Sequence, residues 1–178
     1  MDAPNIISIV GLVAAFISLY WSWRNSNITN KLTRSDTLFK IHESNRPGRQ
    51  AMLDIFRAWN IEHKDVYKLT DLEKDDFMNF YNKNYRTQSS ETVERRKSQS
   101  VHLYLHNLHH LWRRLEEGEF SKEEIFNIFG SAIEIDSKLI DLFFKAHRTA
   151  HPDKIFWEKI PSLLNESEKW ASSRNTHR

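Results

Sequence analysis

Apolar residues recur at helical spacing through most of this chain, but its N-terminal segment is apolar almost throughout. No charged residue occurs from Ala3 to Trp23. A helix of about 20 residues, rising about 1.5 Å per residue, is long enough to cross the roughly 30 Å hydrocarbon layer of a membrane. The pattern therefore predicts a single N-terminal transmembrane helix over residues 4–23.

The end of this segment has the composition of a membrane interface. Its aromatic residues are of the kind that lie at headgroup depth, and Arg24 follows them directly. Because the only charged residue before the segment is Asp2, the positive-inside rule places the N-terminus outside and residues 24–178 in the cytoplasm, at an inner (plasma) membrane. The residues predicted to span the membrane or contact its interface are Ile6, Val10, Leu12, Phe16, Tyr20, Trp21, Trp23 and Arg24.

Two other interpretations of the apolar segment fit less well. A cleaved signal peptide has a basic stretch before its apolar core and small residues at its cleavage site, whereas this chain lacks the first and has bulky aromatics at the second. A soluble amphipathic helix needs a continuous polar face, which the few serines of the segment do not form. We therefore favour a membrane anchor.

The rest of the chain predicts amphipathic helices. Apolar residues follow the three-and-four spacing of a single helical face in several stretches, the strongest being Val101, Leu105, Leu108, Trp112 and Leu115. Two capping boxes, at Thr70/Glu73 and Ser121/Glu124, predict helix starts, and Gly118 predicts a helix end. Pro47 suits a first helical position and predicts a break at Arg46-Pro47-Gly48.

These elements predict an all-α protein, in which a transmembrane helix precedes a cytoplasmic helical bundle of about five helices. We expect an anchor over residues 1–24, a juxtamembrane helix or linker over 25–46, a helical domain over 47–170 and a disordered tail over 171–178. About 150 residues outside the anchor is near the usual size of one domain.

Composition narrows the choice of partners. There are 26 Lys and Arg against 24 Asp and Glu, a formal net charge of +2, which is too balanced for a field that holds nucleic acid. We therefore expect no nucleic-acid partner. The absence of cysteine excludes disulfides, thiolate metal sites and cysteine nucleophiles. No motif calls for a cofactor, because the many aromatic residues lie at core spacing.

Histidines are concentrated in the central predicted helix, at 102, 106, 109 and 110. His102, His106 and His109 lie near one flank of the apolar stripe, so that an i, i+4 pair could share a metal ion. A zinc site needs three or four ligands, and no carboxylate lies between His102 and His106 as in the HExxH motif. We favour the interpretation that these imidazoles border the core, and keep the metal site as an alternative.

Arg96 and His102 form the other candidate pair. Their spacing is similar to that of the Arg–His pair in the helical HEPN-type ribonucleases, which implies a role in binding phosphate and moving a proton. Lys97 stands where that family usually has a small polar residue. The neighbouring basic run, Arg95-Arg96-Lys97, would also suit anionic lipid headgroups, although such a run is more often a solvated helix face.

A longer stretch resembles a known family. From Ser100 the chain reads SVHLYLHNLHHLWRRLEEGEFSKEEIFNIFGSAIEIDSKLIDLFFKAHRTAHP and continues to a tryptophan-containing closing helix at Trp170. Behind an N-terminal anchor, this resembles bacterial proteins of the domain-of-unknown-function family 4760. The resemblance implies a membrane-anchored helical protein with no catalytic residues to carry over.

The sequence thus favours a non-enzymatic, single-span membrane protein. Its helical domain is expected to bind a protein partner or to form a homo-oligomer, in an envelope or phage-defence response that only the family resemblance suggests. The alternative is a membrane-tethered hydrolase that uses Arg96 and His102, or the histidines as metal ligands.

Overall fold

The computed structural model describes residues 3–60, 65–86, 92–150 and 157–175, with side chains from Phe16 onwards. Five α-helices account for most of this part of the chain, and no strand occurs in it, which confirms the all-α prediction. The helices are α1 (Ala3–Trp59), α2 (Asp71–Tyr81), α3 (Val93–Glu116), α4 (Lys122–Ala150) and α5 (Ile160–Asn175). A short 3₁₀ helix, Val66–Lys68, precedes α2, and a π-helical turn, Asn82–Arg86, follows it.

The chain divides into two compact units, Met1–Phe39 and Lys40–Arg178. In the first unit, every described side chain from residue 16 to residue 36 is exposed. In the ranges that the structure describes, no helix combines the length and the apolar character that a membrane crossing requires. The side chains of Ile6, Val10 and Leu12, which belong to the predicted span, lie outside the described residues.

The predicted break at Arg46-Pro47-Gly48 is absent, because α1 runs through Pro47 without interruption. Packing explains why the helix continues. A Cβ atom on Gly48 would lie 2.4 Å from Tyr104 Cβ and 2.5 Å from the Ser100 carbonyl oxygen, so α1 and α3 approach closely at a position without a side chain. Tertiary contact thus outweighs the local preference of proline for a helix start.

Both predicted capping boxes are present. Thr70 Oγ1 accepts from the Glu73 amide at 3.3 Å, and the Glu73 carboxylate accepts from the Thr70 amide at 2.8 Å. Ser121 and Glu124 do the same at the start of α4, at 3.1 and 2.7 Å. Gly118 has a φ of 75° after α3, as expected for a helix-ending glycine. The last helix, α5, continues past the predicted end at 170 to Asn175.

The core of the second unit is aromatic. Phe77 and Tyr81 of α2 and Phe143 of α4 are fully buried. The Phe143 ring lies edge-on to the other two, with centroids 5.1 Å from Phe77 and 5.0 Å from Tyr81, the geometry that aromatic quadrupoles prefer. This packing fixes α2 against α4.

An ion pair fixes α1 against α4. Arg49 Nε donates to Asp136 Oδ2, and Arg49 Nη2 donates to Asp136 Oδ1 at 3.2 Å. The Asp136 side chain is almost completely buried, while that of Arg49 is partly exposed. The hydrogen bond to Asp136 raises the pKa of Arg49 above its ordinary value, and burial raises that of the neighbouring Tyr104 phenol. Both arginine and phenol therefore keep their protons at any physiological pH.

Candidate functional site

The histidines of α3 separate into two groups. His106 and His110 are one turn apart, with ring centroids 4.3 Å from each other, and His109 lies 5.3 Å from His110. His102 instead packs edge-on against Trp157 at 4.8 Å and lies 5.9 Å from His147 of α4. The three histidines singled out from the sequence, His102, His106 and His109, therefore do not converge on one point.

A buried hydrogen-bonded cluster lies behind His102. The Tyr81 hydroxyl is 2.8 Å from His147 Nε2 and 3.1 Å from Ser98 Oγ, and all three side chains are buried. Trp157 covers this cluster, 4.9 Å from the His147 ring, and adopts a φ of 56° that bulky residues rarely accept. We call Tyr81, Ser98, His147 and Trp157 the Tyr81 cluster.

The Tyr81 cluster joins three helices through one hydroxyl. Tyr81 belongs to α2, Ser98 to α3 and His147 to α4. A buried polar group without a hydrogen bond costs about 1–3 kcal/mol, so these partners favour a single arrangement of the helices. Because the hydroxyl and its two partners are buried, the cluster acts on the packing of the bundle rather than on a dissolved substrate.

His106 and His110 line an open groove of about 490 Å³ between α1 and α3, which we call the histidine groove. Its floor includes Asn107, whose Nδ2 donates to Asn45 Oδ1 at 2.7 Å. Two arginines on its rim are ion-paired, Arg113 with Glu117 at 3.3 Å and Arg114 with Glu119 at 2.8 Å. The groove is lined by Ile41, Ser44, His106, Asn107, His110, Leu111, Arg113, Arg114 and Glu117.

The electrostatics of the groove favour neutral imidazoles. Burial, followed by the neighbouring His106 and Arg113 side chains, lowers the pKa of His110 below its ordinary value. Burial, His110 and Arg113 lower the pKa of His109 in the same way. Each ring can therefore both donate and accept a hydrogen bond near pH 7, which suits polar or amide groups of a ligand.

A metal site does not form among the residues that the structure describes, since no three histidine or carboxylate side chains are grouped closely enough. His106 and His110 provide two nitrogens, and structural or catalytic zinc uses at least three protein ligands. The nearest carboxylate of the groove, Glu117, is already paired with Arg113. The predicted combination of His102, His106 and His109 is not assembled.

Arg96 and His102 are not on a common face of α3. Six helical steps of about 100° place the two side chains about 120° apart around the axis. Both side chains are exposed, and the His102 ring also packs edge-on against Trp157. In the same basic run, Lys97 lies 3.8 Å from Asp54 of α1. The ribonuclease role of Arg96 and His102 stays a prediction.

The predicted membrane-interface residues that the structure describes are all exposed. These are Phe16, Tyr20, Trp21, Trp23 and Arg24. The Arg24 guanidinium lies 5.5 Å from the Trp21 ring centroid, and the Tyr20 and Trp23 rings are 6.3 Å apart. Amphipathic rings beside a cation are the usual composition of a headgroup layer.

Comparisons with protein-family models, with curated proteins and with solved structures find no match for this chain.

Sequence reasoning missed the Tyr81 cluster. No motif or spacing in the sequence singles out Tyr81 or His147. The two are 66 positions apart, so no local spacing reveals their pairing. The one signal in the sequence is a histidine at a position of the apolar face of α4, where most of the buried residues are aliphatic or aromatic.

Proposed function

We propose that this protein is a membrane-anchored helical interaction module, whose N-terminal helix inserts in an inner (plasma) membrane with the helical domain in the cytoplasm. The observation that supports this most is the exposure of six large apolar side chains in eight residues. They are Phe16, Ile17, Leu19, Tyr20, Trp21 and Trp23.

These six side chains cover more than half of the circumference of α1, because each residue turns the helix by about 100°. A single groove in a folded domain covers one face of a helix, whereas lipid covers all of them. Lipid also has an interface that accepts the polar edges of Tyr20, Trp21 and Trp23. A membrane is therefore the partner that suits this segment best.

Continuity of α1 supports the role of a module. The helix that carries the apolar segment also supplies Met52, Ile55 and Arg49 to the second unit. The proposed anchor and part of the core of the second unit therefore belong to one continuous helix in sequence.

Membrane flotation of the full chain tests the anchor. Two arginines placed in the middle of the predicted span, Ile9→Arg with Val13→Arg, should move the protein from the carbonate-resistant membrane fraction to the soluble fraction, since each costs about 3 kcal/mol at the bilayer centre. The matched control is Asn27→Arg with Asn30→Arg, which should float like the wild type. Flotation of both variants alike would exclude insertion of this segment.

Chemical crosslinking of the full chain in membranes tests the interaction role. We expect protein partners or self-crosslinks, and we expect His102→Ala to leave them unchanged. The alternative predicted from the sequence, a membrane-tethered hydrolase, makes the opposite prediction. Processed RNA or a stoichiometric metal ion in the purified protein, lost in His102→Ala, would favour it over the interaction module.

A further inference from the structure

A stripe of exposed apolar residues runs along α1 from the end of the predicted span onward. Trp21, Ile28, Leu32 and Phe39 are spaced seven, four and seven residues apart. At about 100° per residue their directions fall within about 40° of one another. All four are about half exposed or more, from 48% at Ile28 to 66% at Leu32. We call these four residues the juxtamembrane stripe.

The opposite side of the same helix is polar. Ser26, Asn30 and Thr37 point away from the mean direction of the stripe by about 140–180°. Thr33 and Thr37 turn their hydroxyls back to the helix, bonding the carbonyl oxygens of Thr29 and Thr33 at 2.9 and 2.8 Å. Lipid alone would give no reason for such a division, whereas a partner that covers one face would.

The spacing of the stripe fits a coiled coil. With Asn25, Leu32 and Phe39 at position a of the heptad, Trp21, Ile28 and Ser35 occupy position d. Polar residues at a or d positions, here Asn25 and Ser35, reduce stability and select one register. The stripe therefore has apolar residues at most of its a and d positions, and polar residues at two of them, as in helices that pair in a defined register.

Flanking charges identify the other helix. In this register Lys31 is at position g and Asp36 is at position e, five residues later. In a parallel pair of identical helices, a g residue meets the e residue five positions later on the partner, so Lys31 would meet Asp36 of a second copy twice, once on each side. An antiparallel pair would instead bring like charges together, lysine to lysine and aspartate to aspartate.

We propose that two copies of this chain associate in parallel through the juxtamembrane stripe, with Ile28 and Leu32 in the seam and Lys31 paired with Asp36 of the second copy. This inference rests on the proposed membrane anchor, which orients both copies alike. Two heptads are too short for a stable pair in dilute solution. Confinement to a membrane raises the effective concentration enough for a weak seam to pair.

The chain has no cysteine, so single cysteines report directly on the seam. Full-length Ile28→Cys and Leu32→Cys should form covalent dimers in oxidised membranes at least about fivefold more than Ser26→Cys and Asn30→Cys, because residues at a and d face their own copies in a parallel pair. Equal crosslinking at all four positions, or crosslinking only to another protein, would overturn the proposal.

Charge reversal tests the orientation. In the Leu32→Cys background, Lys31→Glu or Asp36→Lys should each reduce the dimer about fivefold, and the double reversal should restore it. Arg34→Glu, off the stripe, should have no effect. Failure of the double reversal to restore the dimer would exclude the parallel pair.

Flotation of the same variants separates the two proposals. If Ile28→Cys and Leu32→Cys form covalent dimers in a chain that fails to float, the anchor is contradicted and the parallel pair is supported. A chain that floats without preferred dimers would keep the anchor and contradict the seam.

Discussion

Ile28 and Ile55 belong to the same helix and have opposite surroundings. Ile28 is 48% exposed, with exposed residues on both sides of it along the chain, while Ile55 is fully buried in the second unit. Intrinsic helix propensity treats the two alike. The apolar residues of the second unit are thus explained largely by its own core, whereas those described between residues 16 and 36 have no cover within the described part of the chain.

The largest effect should come from truncating these two isoleucines in turn. Ile55→Ala leaves a cavity in the core and should lower the free energy of unfolding by about 3 kcal/mol. Ile28→Ala should change it by less than about 0.5 kcal/mol, because an exposed side chain leaves no cavity. Urea unfolding of the detergent-solubilised protein, followed by tryptophan fluorescence, measures both. Equal losses would mean that Ile28 is part of the same cooperative core.

The features of the fold that could be predicted from the sequence are those formed by residues close together in the chain. The capping boxes at Thr70 and Ser121 were predictable because each is closed within four residues. The stripe of α3 was predictable because its apolar residues recur at helical spacing over several turns. Val101, Leu105 and Leu108 are indeed buried. What could not be predicted is where one helix meets another after a long separation in sequence.

Pro47 and the histidines illustrate this limit. The backbone preference of proline predicts a helix start at Pro47. The close approach of Gly48 to Tyr104 and Ser100 of α3 is a tertiary contact that the local sequence does not reveal. The candidate site failed for a related reason. Their spacing grouped His102 with His106 as candidate metal ligands. In the fold, His102 packs against Trp157, whereas His106 lines the histidine groove. The spacing of the histidines showed only that they share a helix. The helices packed around α3 determine which residues each histidine contacts.

A second contrast concerns two arginines of α1. Arg49→Met should lower the free energy of unfolding by about 2 kcal/mol, because it leaves the buried Asp136 carboxylate without its charge partner. The loss should be smaller than for a fully buried ion pair, because Arg49 is partly exposed. Arg34→Met, on the exposed half of the helix, should change stability by less than about 0.5 kcal/mol. The midpoint of urea unfolding reports the difference.

A rescue experiment sharpens the result for Arg49. Replacing both partners, with Arg49→Met and Asp136→Leu together, removes the unpaired charge and should recover part of the lost stability. A double variant that is no better than Arg49→Met would mean that the loss arises from the packing of the arginine stem rather than from the stranded carboxylate.

The smallest effect tests the histidine groove. The pKa of His110 is lowered in the folded protein, first by burial and then by His106 and Arg113, so the unfolded chain binds a proton more readily. Stability is therefore complete above the unfolded pKa of about 6.5 and decreases as the pH falls from there toward the lower folded pKa. Since the ring is mostly solvated, screening should keep the effect below about 0.5 kcal/mol.

Melting temperatures at pH 7.5 and pH 5.5 measure this dependence, and His110→Asn should reduce the difference between them. Glu166→Gln is the matched control, because Lys122 and Lys169 lower the pKa of Glu166 to about 2 and its carboxyl titrates below this range. Its stabilising contribution is present above the unfolded pKa of about 4.5 and is lost only as the pH falls toward 2. If His110→Asn leaves the pH dependence intact while Glu166→Gln removes it, the groove histidines do not resist protonation, and a carboxylate governs the acid sensitivity of the fold.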